Sequence, residues 1–491
     1  MTASMPSQHW RREIVAATQG DATTNEFAAI GMPETFRGAI TERRDIDRAR
    51  RIAPEERDPG DFVRVEEVAT PELAPNEVAV AVMASAINYN TVWSATFHPV
   101  PTFAFLDRLA AEGGWNARHG RDHHVLGSDA AGVVVATGDG VSRWQPGDHV
   151  VVHGNWVSSE DPHTYADAMH GASQRAWGFE TNFGGLAEFC VAQASQILAK
   201  PAHLTWAEAA SSTLCNATAY RMLISRNGAR IKLGDRVLIW GATGGIGSFA
   251  VQQCLAAGAV PICVVGNAAR AGVVRELGVR HVIDRRAEGF RFLDESDRVV
   301  ESEVLRFVER VREVTPDGAG VDVVFEHPGR ETMPASVAAC RRGGIVVTCA
   351  ATTGYLIPIA GGAMTTSSVT ILGSHFANHH ENHLANELLN DGVVHPTLTR
   401  NVELDDVANG ARLVHEGRHD GKIGVLCLAG EDDGVTDSAR REDLLAPLTR
   451  FARAVEHHRS DGPRSDIDLR GDPGHRTQDR QTPGAPTLPA R

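Results

Sequence analysis

The sequence predicts an α/β fold, a β-rich N-terminal unit followed by a doubly wound parallel sheet. Three observations lead there. A glycine-rich heptapeptide, Gly241-Ala242-Thr243-Gly244-Gly245-Ile246-Gly247, stands between the apolar run Val237–Trp240 and the amphipathic stretch Ser248–Ala257. From there to Ala350, apolar runs alternate with helix-like segments. Upstream, short β-branched runs are divided by prolines and glycines, the pattern of strands joined by turns.

In chain order, residues 1–60 form a charged, irregular extension packed on the β-rich domain, with acids and bases densely mixed from Glu42 to Asp58 as in a solvated helix or loop. Residues 61–212 are the first part of the β-rich domain. Glu77–Met83, Gly132–Thr137 and Val150–Val152 read as strands, and Pro71, Pro75, Gly138-Asp139-Gly140 and Gln145-Pro146-Gly147-Asp148 mark turns. Residues 213–372 hold the parallel sheet. Gly241 permits the tight turn, Gly244 lets backbone approach a pyrophosphate, and Gly247 allows close helix–strand packing. The helix that follows, closed by Gly258, offers free N–H groups and a positive dipole end to phosphates. The runs Pro261–Val265, His281–Asp284, Val321–Glu326 and Gly344–Ala350 continue the sheet. Residues 373–436 return to the first domain. Residues 437–491 are a C-terminal helix and a disordered tail: Asp443–Glu456 suits a short helix broken or started near Pro447. From His457 onward only Ile467, Leu469 and Leu488 are large aliphatics, too few to offset ordering entropy.

Bulk properties exclude several classes. The 491 residues carry a formal net charge of −14, which argues against nucleic acid as a partner. No apolar run reaches the roughly 20 residues of a membrane helix, and Met1 to Arg12 lacks the apolar core of a signal peptide. The seven cysteines are scattered and form no Cys-x-x-Cys pair. Free thiols in a cytoplasmic protein, with no bound metal, are the expectation.

The heptapeptide marks a dinucleotide site. NAD sites usually place an acid about 20 residues after the fingerprint to hold the ribose 2′-hydroxyl. Here the second strand ends in Gly266-Asn267, with Arg270 following. A missing carboxylate beside a cation suits the 2′-phosphate of NADPH, although Arg270 also reads as a solvated helix residue.

A β-rich domain around such a turn resembles the medium-chain dehydrogenase/reductase superfamily, which implies a GroES-like catalytic domain and a Rossmann domain. Zinc-dependent members carry Gly-His-Glu where this chain has Gly127-Ser128-Asp129, so the resemblance is to the zinc-free branch. It also sets Thr218, in Cys215-Asn216-Ala217-Thr218, near the nicotinamide; a helix hydroxyl bonded to its own backbone is the alternative. Within that branch, six motifs resemble the crotonyl-CoA carboxylase/reductases. They are Asn88-Tyr89-Asn90-Thr91-Val92-Trp93, Trp177 to Gly185, Phe325-Glu326-His327-Pro328-Gly329-Arg330, Gly373 to Asn378, His395-Pro396-Thr397-Leu398 and Gly421 to Leu426. The resemblance runs from about residue 12 to about 436. It implies a homo-oligomer in which NADPH reduces an enoyl-CoA thioester and the enolate captures CO2, giving an alkylmalonyl-CoA. By motif, Asn90, Phe179, Glu180 and His375 hold CO2.

Those residue types suit the task. An amide and an imidazole donate hydrogen bonds to the carboxylate that develops on CO2. An ionised Glu180 repels that charge directly but can orient a water that donates to it. Phe179 excludes bulk water, whose proton would quench the enolate. Each also has a plainer reading: a turn-fixing amide for Asn90, a structural imidazole for His375, a surface acid for Glu180. Glu326 and His327 end a parallel strand and read as cofactor-side positions. One departure stands out. Residues 356–372 carry no charge, where relatives have basic and aromatic side chains suited to phosphates and adenine. Plain enoyl-thioester reduction, an acyl group on a carrier protein, or a catalytically weakened cofactor-binding paralogue are the alternatives this opens.

Overall fold

The computed structural model describes residues 7–460 except 21, 316, 355 and 360. Six strands form one wholly parallel sheet in the spatial order His281–Asp284, Val260–Val265, Arg236–Trp240, Val321–Glu326, Cys340–Thr348 and Thr370–Gly373. Side chains of one strand alternate between two cores. Val237 and Ile239 join the cluster containing Phe249 and Cys254, and Leu238 and Trp240 join the one containing Phe307 and Val311. Apolar residues on both faces are what a sheet covered by helices on both sides requires. The chain runs outward through three strands, then crosses to the other side of Arg236–Trp240. That reversal opens a crevice at the carboxyl ends of Arg236–Trp240 and Val321–Glu326.

A second, seven-stranded sheet is built around Glu77–Ala86, whose ten residues are all buried. Lys422–Leu426 pairs antiparallel with it, Gly424 opposite Ala86. The chain therefore leaves the first sheet, builds the parallel one, and returns. Helix Trp206–Leu223 packs against both the Glu77–Ala86 strand and helix Gly245–Ala256. All seven cysteines are free thiols. Among the described residues, no helix is long and apolar enough to cross a membrane.

The N-terminal extension is not irregular. Helices Ser7–Gln19 and Thr24–Ile30 precede a strand, Thr35–Glu42, that pairs with both Arg64–Ala69 and His123–Val125. Trp10 and Ile14, one turn apart, are fully buried, and Trp10 Nε1 donates to Gly31 O at 2.9 Å. Arg11, Arg12 and Glu13 fall on the remaining helix face and hide this stripe in composition. After Glu42 come short 3₁₀ turns and one α-turn, Ile46–Ala49.

The C-terminal helix is also longer than expected. It runs unbroken over Ser438–Ser460 with Pro447 inside it and includes His457 to Arg459, assigned above to disorder. Proline removes one helical hydrogen bond, but Leu448, Phe451, Ala454 and Val455 are buried against the Rossmann domain, and that packing wins. The rest of the tail, 461–491, lies outside the described residues.

Candidate active site

The turn after Arg236–Trp240 forms the crevice's floor. Gly241 has φ +57°, and a Cβ there would stand 2.8 Å from His327 Nε2. A Cβ on Gly247 would stand 2.2 Å from Gly241 O. The turn is thus closed to side chains, and the helix starting at Gly245 presents its N–H groups to the crevice. A pyrophosphate fits such a cradle. Across the crevice, His327 Nε2 donates to Trp240 O at 3.0 Å, and burial lowers its pKa to about 4. Its neighbour Glu326 is fully buried and accepts from Gly329 N (2.9 Å), Thr332 Oγ1 (2.8 Å) and Ser336 Oγ. Burial raises its pKa to about 7 against the pull of those bonds. One carboxyl therefore shapes the loop that walls the cofactor crevice.

Arg270 lies in the first turn of helix Ala268–Glu276, where Asn267 caps its backbone N–H. Its Nε donates to Asp420 Oδ1 (2.8 Å), and Nη2 donates to the Gly417 and His419 carbonyls (2.9 and 2.8 Å). Nη1 faces Gly266 at the end of the second strand. Asp420 also accepts from Thr243 Oγ1 at 3.0 Å, and Gly421 N donates to Thr243 O at 2.6 Å. The returning segment is therefore stitched to the glycine turn. Arg270 is not simply a solvated helix residue. Thr218, on helix Trp206–Leu223, is buried and donates its hydroxyl to Leu214 O at 2.7 Å.

At Gly127-Ser128-Asp129 the residues do not suit a divalent cation. Asp129 Oδ2 accepts from Asn88 Nδ2 at 2.7 Å and faces Lys422 Nζ at 3.3 Å. Lys422 Nζ also donates to Ile87 O (3.0 Å) and Asn88 Oδ1 (2.5 Å). The charge that would draw a metal is already met by a buried ammonium. A Cβ on Gly245 would stand 3.0 Å from Lys422 Cδ, so this pair lies directly beneath the nucleotide helix.

The four residues assigned to CO2 come from three elements. Asn90, on helix Tyr89–Thr96, donates through Nδ2 to Ser128 Oγ at 2.8 Å, while its buried Oδ1 has no partner. Ser128 Oγ in turn donates to Trp177 O at 2.7 Å, which ties Asn90 to the turn holding Phe179 and Glu180. Phe179 packs on Trp93 and Phe105, ring centroids 6.4 and 5.9 Å away. Glu180 Oε2 accepts from Ala176 N at 2.7 Å, and burial raises its pKa. His375 follows the last strand of the parallel sheet. The residue is exposed, yet the protein packed around the imidazole, and to a lesser degree the charge of Arg221, lowers its pKa to about 4. Gly154 joins the two loops: its carbonyl accepts from Trp177 N at 2.8 Å, and a Cβ there would stand 3.2 Å from Phe376 Cε1.

Sequence reasoning missed what anchors His375. Buried Arg221 donates to Glu381 Oε2 (2.7 Å) and to Asp167 Oδ2 (2.8 Å). Asn378 caps helix His379–Asn390, and its amide reaches Asp167 at 3.1 Å. The segment carrying His375 is thereby fixed three residues from a capped helix. In the uncharged tract, Leu356 and Ile359 are 72% and 48% exposed, a surface with no cation of its own. Arg330 lies beside it, against Gly354, and pairs with Asp297 at 3.0 Å.

Residues 74–202 match the alcohol dehydrogenase GroES-like domain and residues 245–391 the zinc-binding dehydrogenase family. The chain is 46% identical over 442 residues to a crotonyl-CoA reductase of Streptomyces collinus, covering 90% of this chain and 99% of that one. It is 36% identical to a crotonyl-CoA carboxylase/reductase of Cereibacter sphaeroides, over 76% of this chain and 85% of the relative. Among solved structures it resembles the Streptomyces 2-octenoyl-CoA carboxylase reductase CinF in complex with NADP and 2-octenoyl-CoA. The TM-score is 0.84 at 46% identity, covering 90% of this chain and 98% of that one.

Proposed function

The chain belongs to the crotonyl-CoA carboxylase/reductase family, and from that premise we propose how its residues carry out NADPH-dependent reductive carboxylation of an α,β-unsaturated acyl-CoA. It is an NADPH-dependent oxidoreductase. NADPH supplies a hydride to the substrate's β-carbon, and the enolate's α-carbon attacks CO2 to give an alkylmalonyl-CoA. The glycine turn and the N-terminus of helix Gly245–Ala256 hold the pyrophosphate, and Arg270 Nη1 beside Gly266 takes the 2′-phosphate.

The observation that best supports a CO2 site is the meeting of two loops at Gly154, which sets the Glu180 turn beside the His375 loop. Asn90 keeps one N–H beyond its bond to Ser128. Neutral His375 offers one N–H as well, and both stabilise charge that develops only in the transition state. Glu180, its backbone bond at Ala176 fixing its orientation, positions a donor water. Phe179, with Trp93 and Phe105, shields the enolate from bulk water. Incubation with crotonyl-CoA, NADPH and ¹³C-bicarbonate plus carbonic anhydrase tests this. Label in an alkylmalonyl-CoA supports the reading; unlabelled butyryl-CoA alone refutes it.

One observation favours a second substrate form. The exposed, uncharged Leu356–Ile359 surface lacks phosphate-binding groups of its own, which suits an acyl group presented on a carrier protein.

A further inference from the structure

The chemistry above does not use helix Ser438–Ser460. It lies along helix Ala268–Glu276, with Phe451, Ala454 and Val455 packed on Val273. In its last turn two imidazoles converge on one carboxylate oxygen. His457 Nδ1 is 3.0 Å and His458 Nε2 2.8 Å from Glu276 Oε1, and the three donor atoms lie within 4.8 Å of one another. The two rings are stacked 4.8 Å apart with 20° between their planes. His458 Nε2 is closed off from solvent and, despite its distance from the carboxylate, makes no hydrogen bond. The pair stands off the line such a bond needs. Gly272, one turn before Glu276, makes room for the ring: a Cβ there would stand 2.3 Å from His458 Cε1.

We propose that Glu276, His457 and His458 form a binding site for a divalent transition-metal ion of the zinc class, which clamps the C-terminal helix onto the Rossmann domain. Imidazole nitrogen and carboxylate oxygen are zinc ligands at about 2.0–2.2 Å, which puts two donors on one tetrahedral ion roughly 3.3–3.5 Å apart. The two nitrogen–oxygen spacings, 3.0 and 2.8 Å, lie within a few tenths of an ångström of that range, and the two ring nitrogens, within 4.8 Å of each other, draw together around the ion. Two imidazoles disfavour magnesium and calcium, which take oxygen ligands. The side chains of His457 and Glu276 are 62% and 37% exposed, so an ion enters from solvent and a water completes its shell. The clamp also lies near the residues assigned above to the cofactor. Arg459 is 3.7 Å from Asp420, the residue that holds Arg270 and Thr243.

The test uses the untagged full chain, freed of metal with EDTA and titrated with zinc sulfate by calorimetry, with thermal unfolding followed in parallel. One equivalent should bind with a Kd below about 10 µM and raise the unfolding temperature as zinc increases. E276Q and H457N, both surface changes that preserve the helices, should each weaken binding by roughly tenfold or more. Absence of a saturable one-to-one event, or wild-type affinity in both variants, would overturn the site.

Discussion

Replacing Glu326 by Gln tests whether a carboxyl kept from ionising shapes the cofactor crevice. Burial raises its pKa from the ordinary 4.5 to about 7, a difference worth about 3 kcal/mol. Because the folded value lies above the unfolded one, Glu326 binds a proton in the folded chain that it has lost in the unfolded chain between those pH values. Its contribution is complete below pH 4.5 and is lost as pH rises to about 7, after which the penalty is constant. Gln is nearly isosteric and cannot ionise. Its carbonyl can still accept from Gly329 N and Thr332 Oγ1, while the Ser336 hydroxyl, which also accepts from Trp240 Nε1 at 2.8 Å, must turn. That lost bond costs about 1 kcal/mol at every pH, so the pH dependence is the clean readout. Denaturant unfolding of wild type and E326Q, followed by tryptophan fluorescence at pH 5, 6, 7 and 8, should show the variant gaining on the wild type by about 2 kcal/mol from pH 5 to 7 and only a few tenths more by pH 8. Parallel profiles would refute the reasoning.

Other consequences are equally direct. R270A should weaken NADPH by about 1–3 kcal/mol and NADH much less, because it removes the Nη1 donor proposed for the 2′-phosphate that only NADPH carries; equal losses measured by fluorescence titration would dismiss the 2′-phosphate contact. Ending the chain after Ser460 should leave the unfolding temperature unchanged. Ending it after Gly434 should lower it, because Leu448, Phe451, Ala454 and Val455 are removed from buried positions at about 1.5–3 kcal/mol per large side chain. If the uncharged tract gives up grip on CoA, a crotonyl group on a carrier protein should show higher kcat/KM than free crotonyl-CoA, and a lower or equal value would make the tract a surface variation.

The parallel sheet was legible because its inner strands are buried on both faces: Val260–Val265 and Val321–Glu326 are almost wholly buried and appear as largely apolar runs, while the edge strand His281–Asp284 buries one residue and shows only a short apolar pair. The glycine turn was legible because its spacing is forced by contacts such as Gly247 against Gly241 O. The N-terminal helices were not, since Trp10 and Ile14 form a narrow stripe amid charges that satisfy the exposed face. Pro447 misled because local propensity yields to the packing of Phe451 and its neighbours. The pairing of Lys422 with Asp129 spans 293 residues. No local pattern announces it, although both residues lie in or beside segments singled out for other reasons. Asp420 escaped notice likewise: only the fold brings it to Thr243 and Arg270.

The central claim is that Asn90, Glu180 and His375 direct the enolate to CO2 rather than to a proton. The most direct measurement is the product ratio, by mass spectrometry, for wild type, H375N and E180A given crotonyl-CoA, NADPH and saturating CO2. The wild type should yield chiefly the alkylmalonyl-CoA, and both variants should shift toward butyryl-CoA while NADPH oxidation continues at a comparable rate. Loss of both products together, or an unchanged ratio in both variants, would contradict the account.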